Sequence, residues 1–354
     1  MKKESLKEDN DKKGKPFTNI DEQINILKNR HLHFENEEKA KAKLRRYGYY
    51  EIINGYKSPF LIDPKDDKKG YKDKTTFEHI FALYILDKLI RISVLSSLEE
   101  FEQNFRQVMA YTIAEKISVE QKNYLAKSHY NTGRYKTHKL PNNDKVFKEK
   151  VSDRDGTLAL LNKITKLNTQ PFKHYREKYN NIPPWILAKG LSFGNLVYWF
   201  RLSKPNIRNV VISRMLNMDL EAVKNNKNNV TQFFGDVIRL YNNYRNLAAH
   251  NGRVYDHRSN LSALQKSSYI YNENRIDVLD TEFKSGTMRS SIGVVLYTLN
   301  LFENKTPYII LFTTLKNLLN KYLESYSEDE EYLYTTMELY GPLKLSEDIN
   351  QYFL

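Results

Sequence analysis

The sequence contains no cysteine, so it can form neither a disulfide framework nor a thiolate metal site, and it fits a reducing compartment such as the cytoplasm. Glycine and proline are scarce, with 13 and 10 among 354 residues, and long stretches run without a helix breaker. No uninterrupted apolar run approaches the roughly 18–20 residues of a membrane span, so we expect no membrane association. The opening MKKESLKEDNDKKGK also lacks the apolar segment of a secretory signal.

Basic residues are in clear excess over acidic ones. The chain has 56 Lys and Arg against 43 Asp and Glu, which gives a formal net charge of +13. Such an excess attracts polyanions, and nucleic acid is the commonest polyanion of a cytosol. The charge alone is a weak indication, because membrane surfaces attract cationic proteins as well.

Hydrophobic residues recur at three- and four-residue spacing over most of the chain, which predicts an all-α protein. The pattern is strongest over Thr76–Lys116, where one or two long helices are expected, and no segment alternates as a strand would. From composition we predict five segments: a charged tail at 1–14, an N-terminal helical region at 15–130, a polar linker at 131–156, a second helical domain at 157–330 and an acidic tail at 331–354.

The stretch YRNLAAHNGR, residues 244–253, closes a helix predicted at about Thr231–Asn251, with Gly252 as its C′ residue. At about 100° per residue, Asn246 and His250 lie about 40° apart on the side opposite the apolar face, whereas Arg245 lies about 140° from His250. The competing interpretation is a solvated polar face. However, such faces usually carry Lys and Glu, and this one carries Asn, His and Arg. The apolar face comprises Phe233, Val237, Leu240, Tyr241, Tyr244, Leu247 and Ala248.

The motif Arg245-Asn246-Leu247-Ala248-Ala249-His250 resembles the Arg-(four residues)-His signature of HEPN ribonucleases. The blocks KPFTNIDEQINILKNRHLHF, KLRRYGYYEIINGYKSPF, PPWILAKGLSFGNLVYWF and YRNLAAHNGR follow the order of the AbiD/AbiF abortive-infection family. This resemblance implies a helical bundle of the HEPN type with an additional N-terminal helical region, and a phage-defence or toxin-type function. AbiF-like members are associated with a small noncoding RNA, so a substrate RNA and a cognate small RNA are the partners it implies.

In this resemblance Arg245, Asn246 and His250 are the catalytic residues. An imidazole can accept the proton of the ribose 2′-OH or protonate the leaving oxygen, and a guanidinium can stabilise the phosphorane oxygens. Asn246 would orient the histidine or hold a phosphate oxygen. No spacing of His and carboxylate residues suggests a metal site, so we expect a reaction without metal or cofactor.

The related type VI CRISPR effectors carry two Arg–His motifs, whereas this chain has one. In FRQVMAYTIAEK, Arg106 is followed by Tyr111 where a second histidine would stand. A homodimer would supply a second motif. The alternative is that the Thr76–Lys116 helices cover the motif within one chain, with Arg106 as a substitute.

Basic segments interleaved with aromatic residues, KLRRYGYY, KHYREKY and RLSKPNIRNVVISR, could bind an RNA backbone, although packing of the abundant tyrosines is the competing interpretation. Two further function classes stay open: a scaffold that holds RNA without cutting it, and a protein-interaction component whose basic charge is incidental. The candidate RNA-binding residues are Arg45, Arg46, Arg106, Arg201, Lys204, Arg208, Arg214, Arg239 and Arg253.

Overall fold

The structure is a computed structural model, and it describes residues 17–140, 147–267, 269–271 and 278–339. The protein is 66% helical, and the described strands form a single two-stranded sheet, which confirms the predicted all-α class. Two compact units make up the chain; the first ends at Leu86 and the second begins at Asp87. We expected the division in a polar linker at 131–156. The boundary between the two units lies inside a continuous helix, because apolar residues at helical spacing continue through position 86, and the domain bounds expected from composition stay a prediction.

The first unit holds two capped helices and the start of a long third one. Asn19 caps α1, its side chain accepting from the backbone N–H of Glu22, whose carboxylate accepts from the N–H of Asn19. Tyr47 packs against Phe81 and Tyr84 with ring centroids 5.7 and 5.5 Å apart. The elements are α1 (Ile20–Lys28), α2 (Glu37–Tyr47), a π-helical turn (Tyr50–Asn54), 3-10 turns (Ser58–Phe60 and Asp67–Lys69) and the beginning of α3 (Phe77–Lys116).

The second unit contains the rest of α3 and the helix that carries the Arg–His motif. That helix was predicted at about Thr231–Asn251 and spans Val230–Ala249. The elements after α3 are α4 (Gln121–Tyr124), β1 (Tyr135–Leu140), β2 (Phe147–Ser152), α5 (Asp153–Ile164), α6 (Phe172–Tyr179), α7 (Pro184–Leu187), α8 (Phe193–Leu202), α9 (Pro205–Leu216), α10 (Leu220–Lys224), α11 (Val230–Ala249), α12 (Asp280–Ser285), α13 (Ile292–Leu299), α14 (Thr306–Leu323) and α15 (Glu330–Met337).

An aromatic cluster forms the centre of the second unit. Phe101 of α3 meets Tyr241 of α11 and Phe302 edge to face, each with ring centroids 4.8 Å apart. Phe234 of α11 packs against Phe200 of α8 at 5.1 Å. Rings in these arrangements contribute about 0.5–1.5 kcal/mol per pair beyond the apolar area they bury. This packing fixes α11 against α3 and α8, and thereby positions the motif.

Two segments differ from the sequence-based expectation. The predicted linker contains an antiparallel hairpin in which Tyr135 pairs with Ser152 and Leu140 with Phe147. The predicted acidic tail begins as helix α15, because Leu333 and Met337 supply an apolar face that is fully buried. The expected tail at 1–14, and the rest of the acidic tail from residue 340, lie outside the described residues.

Candidate functional site

Helix α11 is anchored along one face by buried aromatic residues. Phe233, Tyr241 and Tyr244 have at most 1% of their surface exposed. The hydroxyl of Tyr241 donates to Thr298 Oγ1 at 2.8 Å, and that of Tyr244 donates to the carbonyl of Ser290 at 2.9 Å. Buried hydroxyls with partners hold the helix in a single rotation about its axis. The opposite, polar face therefore has a defined direction.

The motif ends in a tight turn. His250 is the C-cap residue, and Asn251 follows in the left-handed region at φ 61°. The N–H of Gly252 donates to the carbonyl of Leu247 at 2.8 Å, and the N–H of Asn251 donates to that of Ala248 at 3.4 Å. This is a Schellman motif, so C′ is Asn251 and not Gly252 as the sequence suggested.

Gly252 packs closely against Leu247 in this turn. A Cβ atom at this position would lie 2.2 Å from Leu247 Cδ1 and 2.7 Å from Leu247 Cγ. These separations are far below the roughly 3.5–4.0 Å at which carbon atoms normally make contact. The turn that carries His250 thus depends on a glycine two positions later.

Helix α3 holds the segment that follows the motif. The guanidinium of Arg91 donates to the carbonyl of Asn251 at 3.0 Å. Asp87 is fully buried, and its Oδ1 accepts from the N–H groups of Val254 at 3.0 Å and Tyr255 at 2.8 Å. Backbone groups bonded to a buried carboxylate have little freedom to move, so α3 fixes the segment that follows α11.

The three motif residues point in the directions that the helical wheel predicts. Asn246 and His250 are exposed, and the Arg245 side chain is 30% exposed and turned toward α3. Arg245 Nε lies 3.7 Å from Glu102 Oε2. The motif arginine therefore faces a carboxylate, while the histidine and asparagine face outward.

Glu102 joins two arginines. Its carboxylate forms an ion pair with Arg106 one turn later on α3 and another with Arg245. Arg106 also donates to the carbonyl of Leu191 at 3.2 Å. Burial raises the pKa of Glu102, while the charges of Arg106 and Arg245 oppose that rise. With Glu102 ionised, two guanidinium groups share one carboxylate, and the cluster keeps a net positive charge beside the exposed Asn246.

Sequence reasoning singled out Arg106 but missed the three α3 residues that support the site, Asp87, Arg91 and Glu102. A signal was present for two of them: Asp87 and Arg91 are charged residues within the largely apolar stretch LYILDKLIRISVL, whereas Glu102 lies among other polar residues. All three are buried, at 0%, 7% and 5% exposure. Charged residues are almost never buried unless they are paired, so a charge within an apolar helix indicates a partner elsewhere in the fold.

Three of the predicted RNA-binding arginines come together. Arg201 of α8, Arg208 of α9 and Arg239 of α11 line one groove of about 390 Å³. Arg239 is ion-paired with Asp236, one turn earlier on its own helix. Arg201 and Arg208 lie in one basic segment, whereas Arg239 comes much later in the sequence, and the packing of α8, α9 and α11 brings the three together.

The other candidates have separate surroundings within their own units. Arg214 donates to Glu115 at 2.7 Å and lies 5.0 Å from the centroid of the Tyr111 ring, and Arg253 pairs with Asp256 at 2.8 Å. Arg45, Arg46 and Lys204 are exposed. Of the aromatic residues in KLRRYGYY, Tyr47 packs into the first unit, as the packing interpretation expects. Tyr50 is 74% exposed, as the RNA-binding interpretation expects.

Among the described residues, no three His, Asp or Glu side chains come together as a metal site would need. None of the helices in the described ranges is long and apolar enough to cross a lipid bilayer.

Comparison with known proteins gives one match. Residues 42–256 match the model of a protein family described as Abi-like protein, a range that includes the whole Arg–His motif. No curated protein and no solved structure matches the chain.

Proposed function

The chain belongs to the Abi-like protein family, and on that premise we propose that it is a metal-independent endoribonuclease of the HEPN type. Family membership suggests a role in abortive-infection phage defence. The observation that carries the catalytic proposal is the end of α11. There Asn246 and His250 are exposed beside Arg245, and a second arginine, Arg106, shares the same buried carboxylate.

The chemistry assigns one role to each motif residue. The His250 imidazole accepts the proton of the ribose 2′-OH, or protonates the 5′-oxygen as it leaves. Arg245 donates to the phosphorane oxygens, where negative charge grows in the transition state. Asn246 holds a non-bridging oxygen. The 2′-oxygen forms the new bond to phosphorus as the bond to the 5′-oxygen breaks, so the products carry a 2′,3′-cyclic phosphate and a 5′-hydroxyl.

Glu102 keeps Arg245 in place without neutralising the site. A carboxylate 3.7 Å from Nε restrains the guanidinium, and the terminal nitrogens remain available as donors. Arg106 adds a second positive charge to the same cluster. A phosphate that approaches Arg245 therefore meets a site with a net positive charge.

Mapping RNA ends after expression tests the proposal. The wild-type protein should produce 5′-hydroxyl and 2′,3′-cyclic phosphate ends that are missing with His250→Ala. The matched control is His174→Ala, which removes an exposed histidine of α6 far along the chain from the motif. Purified protein should still cut in EDTA. Ends that persist in His250→Ala, or cleavage that EDTA abolishes and Mg²⁺ restores, would contradict this mechanism. RNA binding without any cleavage would favour a scaffold.

A second copy of the chain is the proposed source of a second motif. Asn246 and His250 are exposed in the single chain, which leaves them free to face a two-fold partner. Mixing Arg245→Ala and His250→Ala subunits tests this arrangement. Partial recovery of cleavage means that one site draws residues from both chains. No recovery, with a monomeric mass, assigns the second arginine to Arg106 of the same chain.

A further inference from the structure

A groove on the second unit gathers positive charge away from the motif. Three helices contribute its arginines: Arg201 from α8, Arg208 from α9 and Arg239 from α11. The carboxylate among the lining residues is Asp236, which is 1% exposed. Its oxygens already accept from Arg239, from Gln232 Nε2 at 2.9 Å and from the N–H of Gln265 at 3.0 Å. The acid is thus saturated, and the groove keeps a net positive charge.

Arg208 is the inner residue of this groove, and its charge is not compensated. Its side chain is partly buried, its Nε–H has no hydrogen-bond partner, and among the described residues it forms no ion pair. Burial without a partner disfavours a cation, because the lost hydration is not replaced. A bound anion would supply the negative charge that the fold does not place beside Arg208. The burial also lowers the pKa of Arg208 from its usual range, which agrees with an uncompensated cation.

The groove and the motif share one face of α11. Arg239 and Asn246 are seven residues apart, which places them about 20° apart around the helix and about 10 Å apart along it. A chain that runs along this face would pass from Arg239 to Asn246 and His250. The space is open at Gly235, where an added Cβ would meet no atom within 4 Å. An extended polyanion fits this arrangement better than a small isolated anion does.

An exposed aromatic ring lies one turn before Arg201 on α8 and lines a different cavity from the groove. Tyr198 is 38% exposed, and the guanidinium of Arg201 and the ammonium of Lys136 lie 5.7 and 5.4 Å from its ring centroid. An aromatic face next to phosphate-binding arginines is how proteins hold unpaired nucleotides, by base stacking and backbone contacts together. A duplex presents no free base face to such a ring. The ring therefore favours a single strand.

We propose that the groove lined by Arg201, Arg208 and Arg239 is a backbone-phosphate site that holds single-stranded RNA on the same face of α11 as the motif. Arg208 binds the phosphate that enters deepest. The identity of the strand as RNA rests on the proposed function, whereas the phosphate site rests on the geometry of the groove. The site lies away from the scissile bond, so it governs binding and the direction of the strand and takes no part in the chemistry.

Gly235 offers a test that spares the fold. Glycine inside a helix is less favourable than most residues, so Gly235→Gln and Gly235→Glu should both fold. The two side chains have nearly the same shape, and they differ by one negative charge inside the groove. Binding of a labelled, mixed-sequence single-stranded RNA is measured by anisotropy in the cleavage-deficient His250→Ala background. Thermal unfolding confirms that each variant is folded.

We expect Gly235→Glu to weaken binding by about tenfold or more relative to Gly235→Gln, because the carboxylate repels the backbone phosphates. Arg208→Ala should lower the slope of log K against log salt by about 0.7, the value for one lost contact to a single strand. The control, Lys321→Ala, removes one positive charge from α14 where it is paired with Glu324, and should leave the slope unchanged.

The outcomes separate this proposal from the proposed function. Equal affinity of Gly235→Glu and Gly235→Gln, or no RNA binding in the His250→Ala background, would overturn the groove even if the wild-type protein cuts RNA. Charge-dependent loss of binding supports the groove even if no cleavage is found. Tighter binding of a duplex than of a single strand of the same sequence would also overturn it.

Discussion

Replacement of Gly252 by alanine tests whether the turn after the motif is set by one close contact. The added Cβ would overlap Leu247 Cδ1 and Cγ, at 2.2 and 2.7 Å, and would lie 3.1 Å from the Leu247 carbonyl oxygen. Overpacking of this kind typically costs about 1–3 kcal/mol. Leu247 is partly exposed and can change rotamer, so we expect about 1–2 kcal/mol for Gly252→Ala. The midpoint of thermal unfolding should fall by about 2–4 °C.

The second half of the test is the same change in a Leu247→Ala background. That background lacks the Cγ and Cδ1 atoms, so of the three nearest contacts the 3.1 Å one with the backbone oxygen remains. The φ of Gly252 lies outside the left-handed region, so alanine can adopt its conformation. Alanine at such a position stabilises a protein by about 0.4–1 kcal/mol, because it restricts the unfolded chain. Gly252→Ala should therefore be neutral or stabilising in this background.

The rate of RNA cleavage should change in the same way across the two single variants and the double variant if His250 acts as proposed. Gly252→Ala displaces the turn that carries the imidazole, and a misplacement of about 1 Å can cost about a hundredfold in rate. RNA binding should change little, since the arginines of the groove are untouched. Leu247→Ala should restore much of the rate in the double variant. If Gly252→Ala lowers the free energy of unfolding equally in both backgrounds, by calorimetry or denaturant titration, the close contact with Leu247 is not the cause of the destabilisation.

Three further changes test buried or half-buried titratable groups of the second unit. Asp87→Ala leaves the buried N–H groups of Val254 and Tyr255 without an acceptor, so it should lower the free energy of unfolding by about 2–4 kcal/mol in denaturant titration. Asp87→Asn keeps an oxygen at this position and should lower the free energy of unfolding clearly less. Glu102→Gln should slow cleavage by about tenfold through loss of the ion pair with Arg245. Because burial raises the pKa of Glu102, the stability of the wild type relative to this variant should fall as pH rises through that raised pKa; a constant difference would contradict it. Burial lowers the pKa of His257, so its contribution to stability is present above the ordinary value of about 6.5 and should be lost as pH falls below it. The difference in unfolding free energy between the wild type and His257→Gln, measured at pH 7 and pH 5, tests this.

The helices were predictable because their signals are local. The apolar spacing over Thr76–Lys116 predicts one or two helices, and the structure has a single helix, α3, from Phe77. The spacing also gives the direction of the polar face of α11, since its period depends only on the order of the residues. Exposure of Asn246 and His250 follows from that period.

The hairpin and the cluster of Glu102, Arg106 and Arg245 could not be predicted in the same way. YKTHKL and FKEKVS show no alternation of apolar residues, and their pairing consists of backbone hydrogen bonds that any sequence can form. The contact of Glu102 with Arg245 joins helices that are far apart in the sequence. Periodicity reports which face of a helix is apolar, but it does not report which helix covers that face.

Helix α3 contributes the other half of the site. Asp87, Arg91, Glu102 and Arg106 lie within about 100° of one another around this helix. Together they bind the turn after His250 and the side chain of Arg245. Buried ion pairs seldom add net stability, since replacing a whole pair with apolar residues is often neutral or stabilising, although removing one partner alone is destabilising. What they provide is direction, because a hydrogen bond to a buried carboxylate permits few geometries. These four charged residues of α3 thus add little stability, but they fix the geometry at the end of α11. A reaction at an exposed phosphate would require such a fixed geometry.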